Sequence, residues 1–176
     1  MNYHNITKDD MLNGDGIRVV LWVAGCNHHC PECQNSQTWD KRSGIPFKEL
    51  DKEELFDELS KDYVSGITFS GGDPLFTFNV VDVHNLCVEI KKKFPNKTIW
   101  LYTGYDYETI MREDHKQGTL PIVRKAVVTN FVDVLIDGRY EKDLKDTQLK
   151  WRGSSNQRVI DVKKSLEEGK VVLHCE

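Results

Sequence analysis

No apolar run in the sequence approaches the ~20 residues that a membrane-spanning helix needs, so no membrane partner is expected. No basic stripe stands out either. With 24 Lys and Arg against 28 Asp and Glu the net charge is −4, and nucleic acid is not an expected partner. Met1-Asn2-Tyr3-His4 does not lead a charged segment into an apolar one, so the expectation is a cytoplasmic protein without a signal peptide. No repeat, low-complexity tract or linker divides the 176 residues, a length that suits one domain, 1–176, with a core of its own. Cysteine is scarce and odd in number: five residues argue against a closed disulfide framework and for thiols kept reduced. Cys87, inside a helical pattern, and Cys175, next to last, read as a small buried apolar residue and an incidental thiol. No Ser–His–Asp set and no pair of catalytic carboxylates is visible.

What is present is concentrated in Gly25-Cys26-Asn27-His28-His29-Cys30-Pro31-Glu32-Cys33, where Cys26, Cys30 and Cys33 form C-x3-C-x2-C. Three thiols without a fourth nearby can hold a metal centre and leave one coordination position open, the arrangement that separates reactive from purely structural sites. Thiolates suit iron–sulfur clusters and zinc alike. One reading is a [4Fe–4S] cluster on Cys26, Cys30 and Cys33, its fourth iron free for the amino and carboxylate groups of a ligand. The other is structural zinc with His28 or His29 as fourth ligand. Zinc ribbons usually divide their ligands between two C-x2-C knuckles, and the second knuckle is missing. His28 and His29 are expected as loop residues, exposed or hydrogen-bonded behind the ligands.

The surrounding pattern alternates strands and helices. Asn13-Gly14-Asp15-Gly16 is a turn before a β-branched run, Ile17 to Val23. Leu50 to Leu55 begins a helix with Asp51 as N-cap, Glu54 closing a capping box and Leu50 stapling onto Leu55. Gly66 to Ser70 is a strand ending in Gly71-Gly72-Asp73-Pro74. Val80 to Phe94 has helical spacing, capped by Asn79 and stopped by Pro95. Thr98 to Tyr102 is a strand ending at Thr103-Gly104-Tyr105, and Asp106 caps a helix carrying Ile110 and Met111. Residues 118–130 are ambiguous. Val132 to Ile136 ends in Asp137-Gly138-Arg139; Arg158 to Ile160 is a further strand, followed by a short helix from Asp161 to Gly169.

This order implies an α/β fold with a parallel sheet. At well under the ~250 residues of a full eight-fold barrel, a partial, open (β/α) barrel is expected. Every unusual stretch follows a strand, so four loops distant in sequence should converge on one rim. Gly71 and Gly72 let a ligand approach the backbone closely, and Asp73 adds a charge that suits a cation.

With these residues in place, the sequence resembles the radical S-adenosylmethionine superfamily, whose hallmark is C-x3-C-x2-C followed by a Gly-Gly-acidic stretch. Within it, the chain is similar to the activating proteins of anaerobic (class III) ribonucleotide reductases. Asn13-Gly14, Gly16, Arg18, Thr38-Trp39, Ser70 to Leu75, Ile99-Trp100, Thr103-Gly104-Tyr105, Asp137-Gly138-Arg139, Asp143 to Asp146 and Trp151 to Gln157 carry that likeness in order. The family commonly has Gly before the third cysteine and Tyr after it, where this chain has Glu32 and Gln34. The segment between Met111 and Phe131 and the tail after Gln157 look longer than the family minimum.

The resemblance implies a [4Fe–4S] cluster on Cys26, Cys30 and Cys33, with S-adenosylmethionine at the open iron. It also implies reductive cleavage to methionine and a 5′-deoxyadenosyl radical, and a glycyl radical left on the large subunit of the reductase. A flavodoxin-like protein is the implied electron donor. By motif, Gly71 and Gly72 hold the S-adenosylmethionine amino group, Glu32 and Gln34 flank the ligand, and Thr103, Asp137 and Arg139 contact its methionine or ribose. Arg152 to Gln157 belong near the site or the partner's glycine loop. Two rivals are a radical enzyme acting on a small molecule, like a deazapurine synthase, and a non-catalytic zinc-stabilised binding module.

Overall fold

The computed structural model describes residues 1–175. Its centre is a seven-stranded sheet: β1 (Asn2–Asp10), β2 (Ile17–Val23), β3 (Ile45–Pro46), β4 (Val64–Gly71), β5 (Thr98–Tyr102), β6 (Val134–Asp137) and β7 (Arg158–Asp161) lie in the order β3-β1-β2-β4-β5-β6-β7. The four middle strands, β2, β4, β5 and β6, are parallel. The flanking strands are antiparallel, so the expected parallel arrangement holds only in the centre. The sheet is mixed and does not close.

Residue alternation sorts the two faces. Val19, Leu21 and Val23 of β2, Ile67 and Phe69 of β4, Ile99 and Leu101 of β5 and Leu135 of β6 all enter one apolar core. Helices α1 (Glu49–Leu59), α2 (Val80–Lys93), α3 (Tyr107–Arg112), α4 (Thr119–Phe131) and α5 (Val162–Glu168) contribute to it. Leu55, Leu59, Val83, Ile90, Ile110 and Val127 are fully buried there, each worth about 1.5–3 kcal/mol of apolar burial. The intervening residues are of another kind: Arg18, Trp22, Thr68, Ser70, Trp100 and Tyr102 belong to the opposite face.

At the strand-start end of that second face, Arg18 is buried and all five of its N–H groups are used. Nε donates to Thr68 Oγ1 (2.8 Å), Nη1 to Asp15 C=O and Thr98 Oγ1 (both 3.0 Å), and Nη2 to the carbonyls of Ile67 (2.7 Å) and Thr98 (3.0 Å). Burial lowers this guanidinium to about 10, still protonated at neutral pH. Its carbon lies 5.2 Å from the Trp100 ring centroid. Trp151 and His174 pack edge-on to the same indole at 4.8 and 5.2 Å. This end is therefore filled, and the open space lies at the carboxyl ends of the strands.

Several local expectations change. Asp51 does not cap α1 from outside; it lies in the first turn, where its carboxylate accepts the Lys48 N–H (2.6 Å) and the Tyr3 hydroxyl (2.8 Å). Leu50 is 76% exposed and staples nothing. Asn79 precedes α2, but its amide turns away to the carbonyls of Ala24 (2.8 Å) and Asp73 (3.0 Å). Asp106 and Asp161 do cap their helices, accepting the N–H of Thr109 and Lys164. The segment 118–130 is mostly α4: Ile122, Val123, Val127, Val128 and Thr129 favour strand locally, and packing on the sheet overrides them. Strand β1 was unforeseen. Its sequence has no apolar alternation, only Tyr3 is buried, and two irregularities interrupt its pairing with β2.

Candidate functional site

The cysteine loop leaves β2 at Val23 and is pinned at its base. Gly25 N–H donates to Thr38 C=O (2.7 Å), Cys26 N–H to Trp39 C=O (3.0 Å) and Asp73 N–H to Gly25 C=O (2.8 Å). Gly25 (φ 100), His29 (φ 48) and Glu32 (φ 57) all lie in the left-handed region. At Glu32 the backbone takes a conformation that glycine adopts more readily than glutamate. Cys33 N–H closes a tight turn onto Cys30 C=O (3.1 Å), and Asn35 N–H points to Cys33 Sγ (3.4 Å).

Cys26, Cys30 and Cys33 line one cavity of about 370 Å³ at the strand carboxyl ends, together with Gln34, Gly71, Gly72, Asp73, Thr103 and Arg139. Five sequence-predicted positions from three other segments, Gly71, Gly72, Asp73, Thr103 and Arg139, thus meet the cysteine loop. Among the described residues, no three His, Cys, Asp or Glu side chains gather tightly enough about one point to hold a single ion. The thiols face a shared space rather than a point. Burial raises the Cys26 thiol to about 11 and shifts Cys30 in the same direction, so metal binding must displace protons there.

The glycine turn meets the cysteine loop at very short range. A Cβ on Gly72 would lie 2.5 Å from Gly25 C=O, and Gly71, at φ 98, would place one 2.7 Å from Val23 C=O. The Gly72 N–H donates to Val23 C=O (2.8 Å). That N–H is therefore not free for a ligand, and carbonyl oxygen is what remains for an ammonium group.

Asp73 is 1% exposed and fully engaged within the protein. Its carboxylate accepts Leu75 N–H (2.8 Å), Thr103 Oγ1 (3.0 Å to both oxygens), Gly104 N–H (3.0 Å) and His28 Nε2 (2.7 Å). The Thr103 oxygen in turn accepts Tyr105 N–H (3.2 Å). Asp137 does not line the cavity. It is buried behind it, accepting Tyr107 N–H (2.8 Å) and the Arg158 guanidinium at 3.0 and 2.5 Å. Glu32 is exposed and pairs with Lys142, outside the cavity lining. Arg139 is exposed at the rim.

Several lining residues were not foreseen. Trp22, Trp39, Tyr102, Tyr140 and Trp151 supply aromatic walls, although no aromatic adjoins Cys33. Trp22 and Tyr102 end their strands on the face shared with Arg18 and Trp100, so strand alternation carried their signal. From the stretch expected near the site or the partner's glycine loop, Arg152, Gly153 and Gln157 line the space. Gln157 knits this wall: its Oε1 accepts Gly153 N–H (2.9 Å) and Ser154 N–H (3.2 Å), and its Nε2 donates to Gly138 C=O (3.0 Å).

The 4Fe-4S single cluster domain family matches this chain over residues 12–160. The anaerobic ribonucleoside-triphosphate reductase-activating protein of Enterobacteria phage T4 is 44% identical over 159 residues, covering 90% of this chain and 93% of that protein. The protein of the same name from Escherichia coli K12 is 39% identical over 161 residues, 90% of this chain and 97% of its own. A third, from Vibrio cholerae, is 36% identical over 159 residues, 89% and 96% respectively.

Proposed function

Because this chain belongs to the family of anaerobic ribonucleoside-triphosphate reductase-activating proteins, we propose that it activates an anaerobic ribonucleotide reductase by leaving a glycyl radical on that enzyme's large subunit. The observation that carries the reading is the meeting of three thiols and the Gly71–Gly72 turn on one cavity. The donor set fits a [4Fe–4S] cluster: Cys26, Cys30 and Cys33 would hold three irons, and no other cysteine lines the cavity among the described residues. The close approach of Gly72 to Gly25 fits a ligand held against backbone where no Cβ intervenes.

When bound there, the cluster would supply one-electron reduction, with a flavodoxin-like protein as donor, and S-adenosylmethionine would supply the radical chemistry that removes hydrogen from a glycine Cα. The protein's part is placement and exclusion of water. The Gly71 and Gly72 carbonyls would accept from the ligand ammonium. Gln34 and Arg139 would meet the polar ends of its methionine and ribose, with Thr103 beside them. Asp73 and Asp137 would act from behind, by holding the loops that carry these groups. Trp22, Tyr102 and Tyr140 would wall the radical from solvent. In this reading the sheet works as an open, partial (β/α) barrel, the chain as one unit, and the setting is the cytoplasm. Among the described residues no helix is long and apolar enough to cross a membrane.

Anaerobic purification with metal analysis is the first test: about four irons with sulfide per chain are expected, and stoichiometric zinc without iron sinks the reading. The reduced protein, S-adenosylmethionine and a class III reductase are then mixed and examined by electron spin resonance. A glycyl radical on the reductase is expected. Formation of 5′-deoxyadenosine without that radical would favour a small-molecule substrate instead.

A further inference from the structure

We propose that His28 is a positioning residue: through Asp73 it locks the cysteine loop onto the loops after β4 and β5, setting where the open iron stands relative to the Gly71–Gly72 carbonyls. This rests on the function proposed above and adds to it a residue outside the ligand set.

His28 lies midway between Cys26 and Cys30, and its side chain is 5% exposed. Its Nε2 is 2.7 Å from Asp73 Oδ2. A carboxylate only accepts, so Nε2 carries the proton. Nδ1 is buried with no partner among the described residues, which makes the Asp73 bond the ring's sole polar anchor. The same carboxylate gathers Leu75 from the glycine turn and Thr103 and Gly104 from the loop after β5. One group thus ties together three of the loops that line the cavity.

Packing fixes the ring as firmly as the hydrogen bond does. A Cβ on Gly104 would lie 2.4 Å from His28 Cδ2, so the imidazole rests directly on that backbone. Its other neighbour is Tyr105, edge-on at 4.7 Å between centroids. Tyr105 is backed by the Arg124 guanidinium, 4.1 Å from its ring centroid. Arg124 Nε also donates to Leu75 C=O (3.1 Å), which returns the chain of contacts to the glycine turn. His29 makes the contrast: exposed, it packs on Trp39 at 4.9 Å and has no equivalent anchor. Adjacent histidines in the cysteine loop therefore have different duties, and of the two only His28 is tied to the loops after β4 and β5. Groups that orient ligands from behind typically change affinity or activity by roughly 10–100-fold when removed.

The test uses the whole chain, reconstituted anaerobically, in four forms: wild type, His28→Ala, His28→Gln and Gly104→Ala. Iron content and visible spectrum report the cluster. The change in the electron spin resonance spectrum of the reduced cluster on titration with S-adenosylmethionine reports its binding. His28→Ala is expected to keep its iron and to need roughly 10–100-fold more S-adenosylmethionine for the spectral change. His28→Gln, which can still donate to Asp73, should recover part of the loss. Gly104→Ala leaves His28 in place but displaces the ring, and should resemble His28→Ala. In the iron-free chain, His28→Ala should speed alkylation of Cys26 and Cys30 by iodoacetamide. Wild-type affinity in both His28→Ala and Gly104→Ala overturns the proposal. If His28→Ala cannot hold iron, the Gly104→Ala titration decides, and unchanged affinity there overturns it. A wild-type chain that takes up no iron would instead sink the parent function.

Discussion

The two faces of the central sheet are built from the same strands and could hardly differ more. On the helix-covered face, Leu21, Phe69, Leu101 and Leu135 are buried in one apolar core. On the other, Arg18, Thr68 and Trp100 alternate with them and hold polar or aromatic partners. A period of two lets one strand serve both duties, because a change on one face leaves the other face's side chains in place. The lesson is that stability and chemistry should be separable by mutation here, to a degree that a site buried within a helical core would not permit.

Cys30→Ala should break the comparison most sharply on the reactive side. S-adenosylmethionine cleavage, measured as 5′-deoxyadenosine under a strong reductant, should fall to background while the far-ultraviolet circular dichroism of the chain is kept. Retained cleavage would show that the cluster is held elsewhere. Leu21→Ala is the opposite case. It empties a fully buried position on the helix-covered face, and should cost about 2–5 kcal/mol in urea unfolding while leaving the ligand affinity of the folded protein within a few-fold of wild type.

Gly72→Ala addresses the seam between loop and sheet. The new methyl would stand 2.5 Å from Gly25 C=O, an overpacking that typically costs about 1–3 kcal/mol. Ligand binding should weaken more than stability does, and equal losses would mean that the turn is only structural. The smallest expected effect is that of Glu108→Gln. The Arg158 side chain holds the Glu108 carboxyl down at about 2, from an ordinary 4.5. A depressed carboxylate stabilises the fold above its unfolded pKa and loses that contribution as pH falls through the folded value. The variant and wild type should therefore differ in urea midpoint at pH 6 and converge towards pH 2. The pair is solvent-screened, so the difference should be at most about 1 kcal/mol. A gap that persists unchanged at pH 2 would contradict the assignment.

The cysteine spacing, the glycine turn and the four strand-end loops were legible because each depends on local chemistry: thiols, missing side chains and β-branched runs. What escaped depends on contacts distant in sequence. Asn79 looks like a helix cap until Ala24 C=O, 55 positions earlier, is seen to claim its amide. Asp73 reads as a ligand for a cation, yet four partners within the protein surround it. Strand β1 carries no apolar alternation, because backbone pairing with β2 and the single anchor of Tyr3 suffice. Arg124 and the helix around it are hidden by β-branched residues whose local preference points the wrong way. The aromatic walls could have been read from alternation on β2 and β5, had the two faces been sorted before the loops.

The buried Arg18 guanidinium has a consequence in time as well as in space. Four of its five hydrogen bonds cross from β2 to β4 and β5, two of them to the carbonyls of Ile67 and Thr98, so none of these strands can swing away without stranding a charge in the interior. Amide hydrogens of Val19 to Leu21, Ile67 to Phe69 and Ile99 to Leu101 should therefore exchange with solvent together, at the rate set by global unfolding. Those of residues 27–35 should exchange through small local openings, many times faster. The molecule would keep two clocks, a slow one where Arg18 fastens the strands and a fast one in the loop that carries the cysteines.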